Sequence, residues 1–272
     1  MNTKFSVLLS LYNEEQPAFL AQALKSVFEQ TYPPTEVVLV LDGNITAELQ
    51  ETVDNFKQQY PAILKIVPLE KNVGLGPALN EGLKYCSYEL VARMDTDDIC
   101  KLDRFEKQVK LFEQNPQIDI TSSWTDEFYD STDEIVSARK LPETHAELKK
   151  WAKSRSPMNH PAVMYKKSKV ELCGGYESLG LFEDYILWMK MLQNNAIFYN
   201  IQESLLYFRS NKNMYKRRGG FNYALNECNL QWLFYKRKMI NLPVAVKNII
   251  IRFGVRLVPN KLRAYIYKKF LR

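Results

Sequence analysis

The sequence predicts an α/β protein with a Rossmann-like, mostly parallel central sheet flanked by helices. Strand-like runs rich in β-branched residues alternate with helical patterns through the first half, as βαβ units require. The first helical pattern starts at Pro17 and places Phe19, Leu20, Ala23, Leu24, Val27 and Phe28 on one apolar stripe. Asp42, Asn72 and Asp95 each follow a strand-like run, where open α/β sheets bind their ligands.

In order, strands are expected over residues 5–11, 37–41, 63–67 and 89–94. Helices are expected over 17–28, ended by Tyr32-Pro33-Pro34, and over 47–60. Gly74, Gly76 and Pro77 mark a loop before a short helix reaching Leu83. One or two strands are expected within 118–129, helices over 143–153 and 184–192, and a strand over 204–209. Between them Pro157, Pro161, Gly174, Gly175 and Gly180 punctuate a loop-rich stretch able to close over a site. Beyond Gly220 the pattern is helical, with breaks expected at Pro243 and Pro259.

The 272 residues are enough for a full core, and the expected organisation is one domain over 1–218 with a helical extension over 219–272. The four cysteines are scattered, without zinc spacing or the density of a disulfide scaffold, which points to a reducing cytosol. The apolar stretch after Lys4 is cut short by Asn13, Glu14 and Glu15, too early for a signal peptide. No apolar run approaches the roughly 20 residues that span a bilayer, so a soluble or peripheral protein is expected.

Three carboxylates within four positions, in Asp95-Thr96-Asp97-Asp98, repel one another unless something neutralises them. Magnesium or manganese does so with one or two carboxylates and substrate phosphate oxygens. The competing reading is a helix cap by Asp97 or Asp98 for a helix over 101–114. Glu183-Asp184, after a glycine-rich stretch and before a helix, fits a general base or a cap. Asp42-Gly43 fits a ribose or base contact or a plain turn.

Taken in order, the segments 6–15, 26–33, 38–43, 72–80, 92–98 and 183–188 resemble the family 2 glycosyltransferases. These include Asp42-Gly43, Asn72-Val73-Gly74-Leu75-Gly76, Asp95-Thr96-Asp97-Asp98 and Glu183-Asp184-Tyr185, and together they cover roughly residues 5–210. The resemblance implies the GT-A fold and inverting transfer from a nucleotide-sugar donor, with uridine the expected nucleoside. It implies that Ser10, Tyr12, Glu14 and Asp42 contact the nucleoside, with Asn72 and Arg93 nearby. Asp95 would approach the ribose or the metal, Asp97 would ligate a Mn2+ or Mg2+ ion, and Asp184 would be the catalytic base.

Two departures stand out. Many relatives carry a histidine after the strand ending at Arg209, whereas this stretch reads Arg209-Ser210-Asn211-Lys212-Asn213-Met214, which implies either a lower metal affinity or phosphate neutralised directly by Lys212, Lys216, Arg217 or Arg218. Leu41 stands where many members have the first of two aspartates, and Asp42 aligns with the second. Of the two histidines, His160 fits a structural hydrogen bond or an acceptor contact, and His145 is expected on the surface.

The net charge of +6 is uneven: eleven of the 37 basic residues follow Glu227, and none of the 31 acidic ones does. Ile249, Ile250, Phe253 and Leu257 recur near helical spacing among Lys247, Arg252 and Arg256, and Leu262, Tyr265, Ile266 and Phe270 form a second such segment. Basic amphipathic helices favour anionic membrane surfaces; the alternative is a helix packed on its own domain. No nucleic-acid-binding module accompanies the charge. The expectation is a sugar transferase on the cytoplasmic face of the cell membrane, acting on a glycan acceptor that is lipid-linked, in surface polysaccharide biosynthesis. The alternatives are a sugar nucleotidyltransferase, whose glycine- and arginine-rich phosphate loop is missing, or a membrane-bound nucleotide-binding subunit without activity.

Overall fold

The computed structural model describes residues 3–177, 181–210 and 220–257. Gly180, Lys212, Lys216, Arg217, Arg218, the expected boundary at 218, Pro259 and the second tail segment lie outside these residues.

Strands β1 (Phe5–Leu11), β2 (Glu36–Leu41), β3 (Leu64–Pro68) and β4 (Leu90–Arg93) are joined by helices α1 (Pro17–Phe28), α2 (Ala47–Gln59) and α3 (Leu75–Tyr85). They pair in parallel in the order β3-β2-β1-β4. Both faces of β1 and β2 are covered, so their sequences read as continuous apolar runs. The two-residue period still sorts them: Leu8, Val38 and Val40 pack with α3, while Val7, Leu9, Val37 and Leu39 pack with α1. Where α3 crosses the sheet, a Cβ on Gly82 would come within 2.5 Å of both Leu8 Cδ1 and Val40 Cγ2. Glycine lets that helix sit down on the strands.

The remaining sheet is mixed: β8 (Met164–Lys166) is antiparallel to β4 and to β6 (Ile120–Phe128), and β6 runs parallel to β9 (Phe198–Arg209). β5 (Ile99–Cys100) pairs antiparallel with β9, and β7 (Ile135–Arg139) with β6. The loop-rich stretch after Pro157 therefore supplies a buried central strand and a helix, α6 (Lys167–Leu172), rather than a simple covering loop. A three-residue strand carries no readable period. β9 starts six residues before the expected position because register shifts opposite Ser123 and Trp124 interrupt its alternation.

Other boundaries differ for identifiable reasons. Gly76 and Pro77 lie inside the first turn of α3, where backbone N–H groups have no intrahelical acceptor and proline costs no bond. Helix α4 (Arg104–Gln114) begins beyond β5, so neither Asp97 nor Asp98 caps it. Helix α5 (His145–Trp151) opens with a capping box between Thr144 and Glu147. His145 is half-buried and its Nδ1 accepts from the Phe198 amide at 3.2 Å, so it is a structural residue and not a free surface one.

Helix α7 (Glu183–Gln193) is covered by α8 (Phe221–Lys236), with Phe234 edge-on to Tyr185 at 4.9 Å between ring centroids. The chain turns at Arg237–Asn241, with Lys238 at φ 56°, and Pro243 sits in the first turn of α9 (Leu242–Leu257) without breaking it. Of the expected α9 stripe, Ile249 and Phe253 are half-buried and Ile250 is exposed. No helix among the described residues is long and apolar enough to cross a membrane.

Gly82→Val should cost about 1–3 kcal/mol by overpacking the α3–sheet contact. Thermal unfolding checks this: an unchanged midpoint would show that Leu8 and Val40 can yield.

Candidate active site

Parallel pairing of β1, β2 and β4 brings their carboxyl ends to one edge of the sheet. Ser10 there is half-buried, and Tyr12 and Glu14 are exposed. Glu15 turns inward, its carboxylate accepting from the Thr96 hydroxyl at 3.0 Å and the Gln16 amide at 2.8 Å.

Asp42 is buried, and its two oxygens accept from the Val73 amide at 2.7 Å and the Gly74 amide at 3.0 Å. It thereby anchors the start of α3, a favourable place for a carboxylate. Gly43 permits the close approach: at φ 84° its Cβ would stand 2.5 Å from the Asn72 nitrogen. Asn72 remains exposed beside it.

The chain leaves β4 through Arg93, whose fully buried guanidinium forks onto Asp95, with Nη1 donating to Oδ2 at 3.0 Å and Nη2 to Oδ1. Ligand oxygens of Asp95, Asp97 and Asp98 lie within 4.8 Å of one another. Burial first, then the charges of Asp95 and Glu15, pushes the Asp97 carboxyl up to about 7. Asp98 is raised as well, by burial and then by Asp97 and Asp95. Its Oδ1 accepts from the Arg209 amide at 2.8 Å, while its buried Oδ2 has no partner. An orphaned carboxylate oxygen beside two further carboxylates is a donor set suited to a hard divalent cation.

Arg209, to which sequence reasoning gave no role, closes the cluster from β9. Its Nε donates to the Asp97 carbonyl at 2.8 Å, and its guanidinium lies 3.9 Å from the Phe19 ring centroid and 4.5 Å from that of Phe128. The stretch without a histidine thus begins with a cation packed against the acidic cluster.

Glu183 and Asp184 occupy the first turn of α7, and neither is its cap residue, which is Phe182. Burial raises the Asp184 carboxyl, opposed by the Tyr185 amide and then by Arg139 and Arg93. Ser156 Oγ lies 3.3 Å from both Asp184 Oδ2 and the Met158 carbonyl, and Arg139 donates to the Ser156 carbonyl at 3.1 Å. Neither Ser156 nor Arg139 had a local signal; the fold brings them to Asp184. Glu183 is raised by burial, and its buried Oε2 is unpaired. The Arg93 charge acts on Asp98, Glu183, Asp184 and His160, so the acidic cluster and the start of α7 share the influence of one buried cation. His160 is held neutral by burial and then by Arg93, and its Nε2 is 3.0 Å from the Tyr176 hydroxyl. Asn80 clamps Tyr176, bonding its backbone N–H and carbonyl at 2.8 Å each.

The model of glycosyl transferase family 2 matches residues 6–172. The chain is 42% identical over 269 residues to the UDP-Gal:alpha-D-GlcNAc-diphosphoundecaprenol beta-1,3-galactosyltransferase of Escherichia coli, covering 99% of this chain and 97% of that one. It is 37% identical over 265 residues to the amylovoran biosynthesis glycosyltransferase AmsE of Erwinia amylovora, covering 97% and 98%. Among solved structures, S. aureus TarS 1-349 in complex with UDP-GlcNAc superposes with a TM-score of 0.65 at 18% identity, over 99% of this chain and 72% of that one. The mannosyltransferase PcManGT of Pyrobaculum calidifontis, in complex with GDP-Man and Mn2+, also gives 0.65 at 18%, over 96% and 72%. These two establish the GT-A-like fold, and the full-length relatives together with the family match establish that the chain belongs to glycosyl transferase family 2 and is a sugar transferase.

Proposed function

We propose that this glycosyltransferase moves a sugar from a uridine diphosphate donor to a hydroxyl of a lipid-linked glycan, with inversion, in surface polysaccharide assembly at the cytoplasmic membrane face. The observation that carries the reading is the cluster of Asp95, Asp97 and Asp98 just beyond β4, with the raised carboxyl of Asp184 under the same Arg93 charge. The relative in Escherichia coli, whose name gives a UDP-Gal donor and a diphosphoundecaprenol acceptor, supports the choice of substrates.

In this mechanism Asp184 takes the proton of the acceptor hydroxyl as its oxygen bonds to the anomeric carbon. The bond from that carbon to the donor diphosphate breaks on the opposite face, which inverts the centre. Ser10, Tyr12, Glu14 and Asp42 line the nucleoside end, with Asn72 and Arg93 beside it; Asp42 does so while also fixing the loop at Val73 and Gly74. Asp97 and Asp95 would hold a Mn2+ or Mg2+ ion, which supplies positive charge for the diphosphate. Arg209 lends a fixed cation to the same cluster.

The extension over 219–272 is the membrane-facing part. Leu242, Val246 and Ile250 form an outward row on α9, 44%, 47% and 68% exposed, with the exposed Lys247 next to Val246 in the chain; Trp232 on α8 is 46% exposed, with the Lys236 ammonium 5.8 Å from its ring centroid. An apolar row among cations fits an anionic lipid surface.

Asp184→Asn should lower kcat by about 10²–10⁴ and leave donor affinity near normal. Turnover close to that of the unaltered protein would remove Asp184 as the base. For the cluster, a folded carboxyl near 7 against an ordinary 3.8 favours the folded state at low pH, and this contribution is lost as pH rises through 7. Asp97→Asn should therefore raise the metal-free melting temperature by roughly 2–5 °C more at about pH 8 than at about pH 5, the loss having begun once pH exceeds the unfolded value of 3.8. It should also remove the stabilisation given by millimolar Mn2+; a retained Mn2+ response would exclude Asp97 as a ligand. Val246→Glu with Ile250→Glu should cut sedimentation with phosphatidylglycerol vesicles at least about fivefold. Equal sedimentation would argue against this docking face.

A further inference from the structure

Helix α9 turns two polar side chains, Asn248 and Arg252, inward beside the buried Ala245. Asn248 is buried and donates from Nδ2 to the Lys153 carbonyl and to Gln231 Oε1, both at 2.8 Å. One turn on, Arg252 Nη1 donates to the buried Glu227 of α8 at 2.6 Å, and its Nη2 donates to the Ser154 carbonyl. The Tyr185 hydroxyl donates to the Ala152 carbonyl at 2.6 Å. Three successive carbonyls at the end of α5, which have no intrahelical donors, are thus captured by Tyr185, Asn248 and Arg252. Ser156, two residues further on, presents its hydroxyl to Asp184.

We infer that Arg252 and Asn248 are positioning residues: by fixing residues 152–154 from α9, they hold Ser156 against Asp184 and so orient the carboxylate for catalysis. The inference rests on the reading of Asp184 as the base. Its physical content is that the basic tail belongs to the catalytic apparatus as well as to the docking face. A residue following a helix end is free to drift unless its carbonyls are tied, and here two of the three ties come from a helix some 95 residues away in sequence.

The test uses the full chain. Arg252→Lys keeps a cation beside Glu227 but gives up the fork to Ser154; Asn248→Leu removes the second tie without touching the ion pair. Transfer is assayed from UDP-galactose to an N-acetylglucosaminyl diphospholipid, alongside amide hydrogen exchange over residues 152–158. Each variant should lower kcat about tenfold with donor KM within about twofold, and should speed exchange in that segment. Ser156→Ala should lower kcat equally, and the Arg252→Lys/Ser156→Ala pair should lose about tenfold rather than about a hundredfold, because both act through one contact. Multiplying losses, unchanged exchange, or faster exchange with undiminished kcat would each overturn the inference. Near-normal turnover by Asp184→Asn would instead overturn the base assignment on which it rests. If the unaltered protein shows no turnover with this pair, the substrate reading fails, and unchanged exchange in the variants would still overturn the inference.

Discussion

The charged part of the molecule depends on the buried guanidinium of Arg93. Asp95, Asp98, Glu183 and Asp184 all lie within its influence, and without a cation in their midst such carboxyls could be buried together only by taking up protons. Burial alone would lower the Arg93 pKa, but Asp95, then Tyr176 and Asp98, hold it raised. The fork onto Asp95 has a second effect, since two parallel bonds fix a carboxylate plane where one bond would leave it free to turn. Arg93 is the last residue of β4, buried between β1 and β8, so the rigid centre of the sheet sets the geometry of its most highly charged part.

How much of this was legible in the sequence follows the length of each element. β1 and α1 match their expected ends, and β2, β3 and α7 differ by about one residue, because five or more consecutive residues under one burial pattern leave a periodic signal. β5 has two residues and β8 three, too few for any period, yet their pairings close the site: β5 separates Asp98 from α4, and β8 lies against Arg93's strand. The carboxylates announce themselves by clustering along the chain. Arg209, Arg139 and Ser156 do not, because each sits far in sequence from the group it serves.

The carboxyls of Asp97 and Asp184 are raised in different company. Burial is the largest cause for both, but around Asp97 the next contributions, from Asp95 and Glu15, are repulsive, whereas around Asp184 Arg139 and Arg93 are attractive. A cation arriving among Asp95, Asp97 and Asp98 relieves repulsion directly and releases protons from that cluster. Repulsion is not among the leading influences on Asp184, so its proton affinity is governed first by how far it is shut away from water, then by the Tyr185 amide, Arg139 and Arg93, with the Ser156 hydroxyl a smaller influence. The enclosure of Asp184 therefore matters more to its basicity than the filling of the acidic cluster does. That enclosure is built from α5, α7 and the segment between α5 and β8, which α9 ties down through Asn248 and Arg252. Helix α9 combines two kinds of inward contact, with Ala245 in the core and Asn248 and Arg252 bonded to backbone carbonyls. Asn248 and Arg252 satisfy carbonyls that end α5, while Leu242, Val246 and Ile250 on the same helix stay exposed.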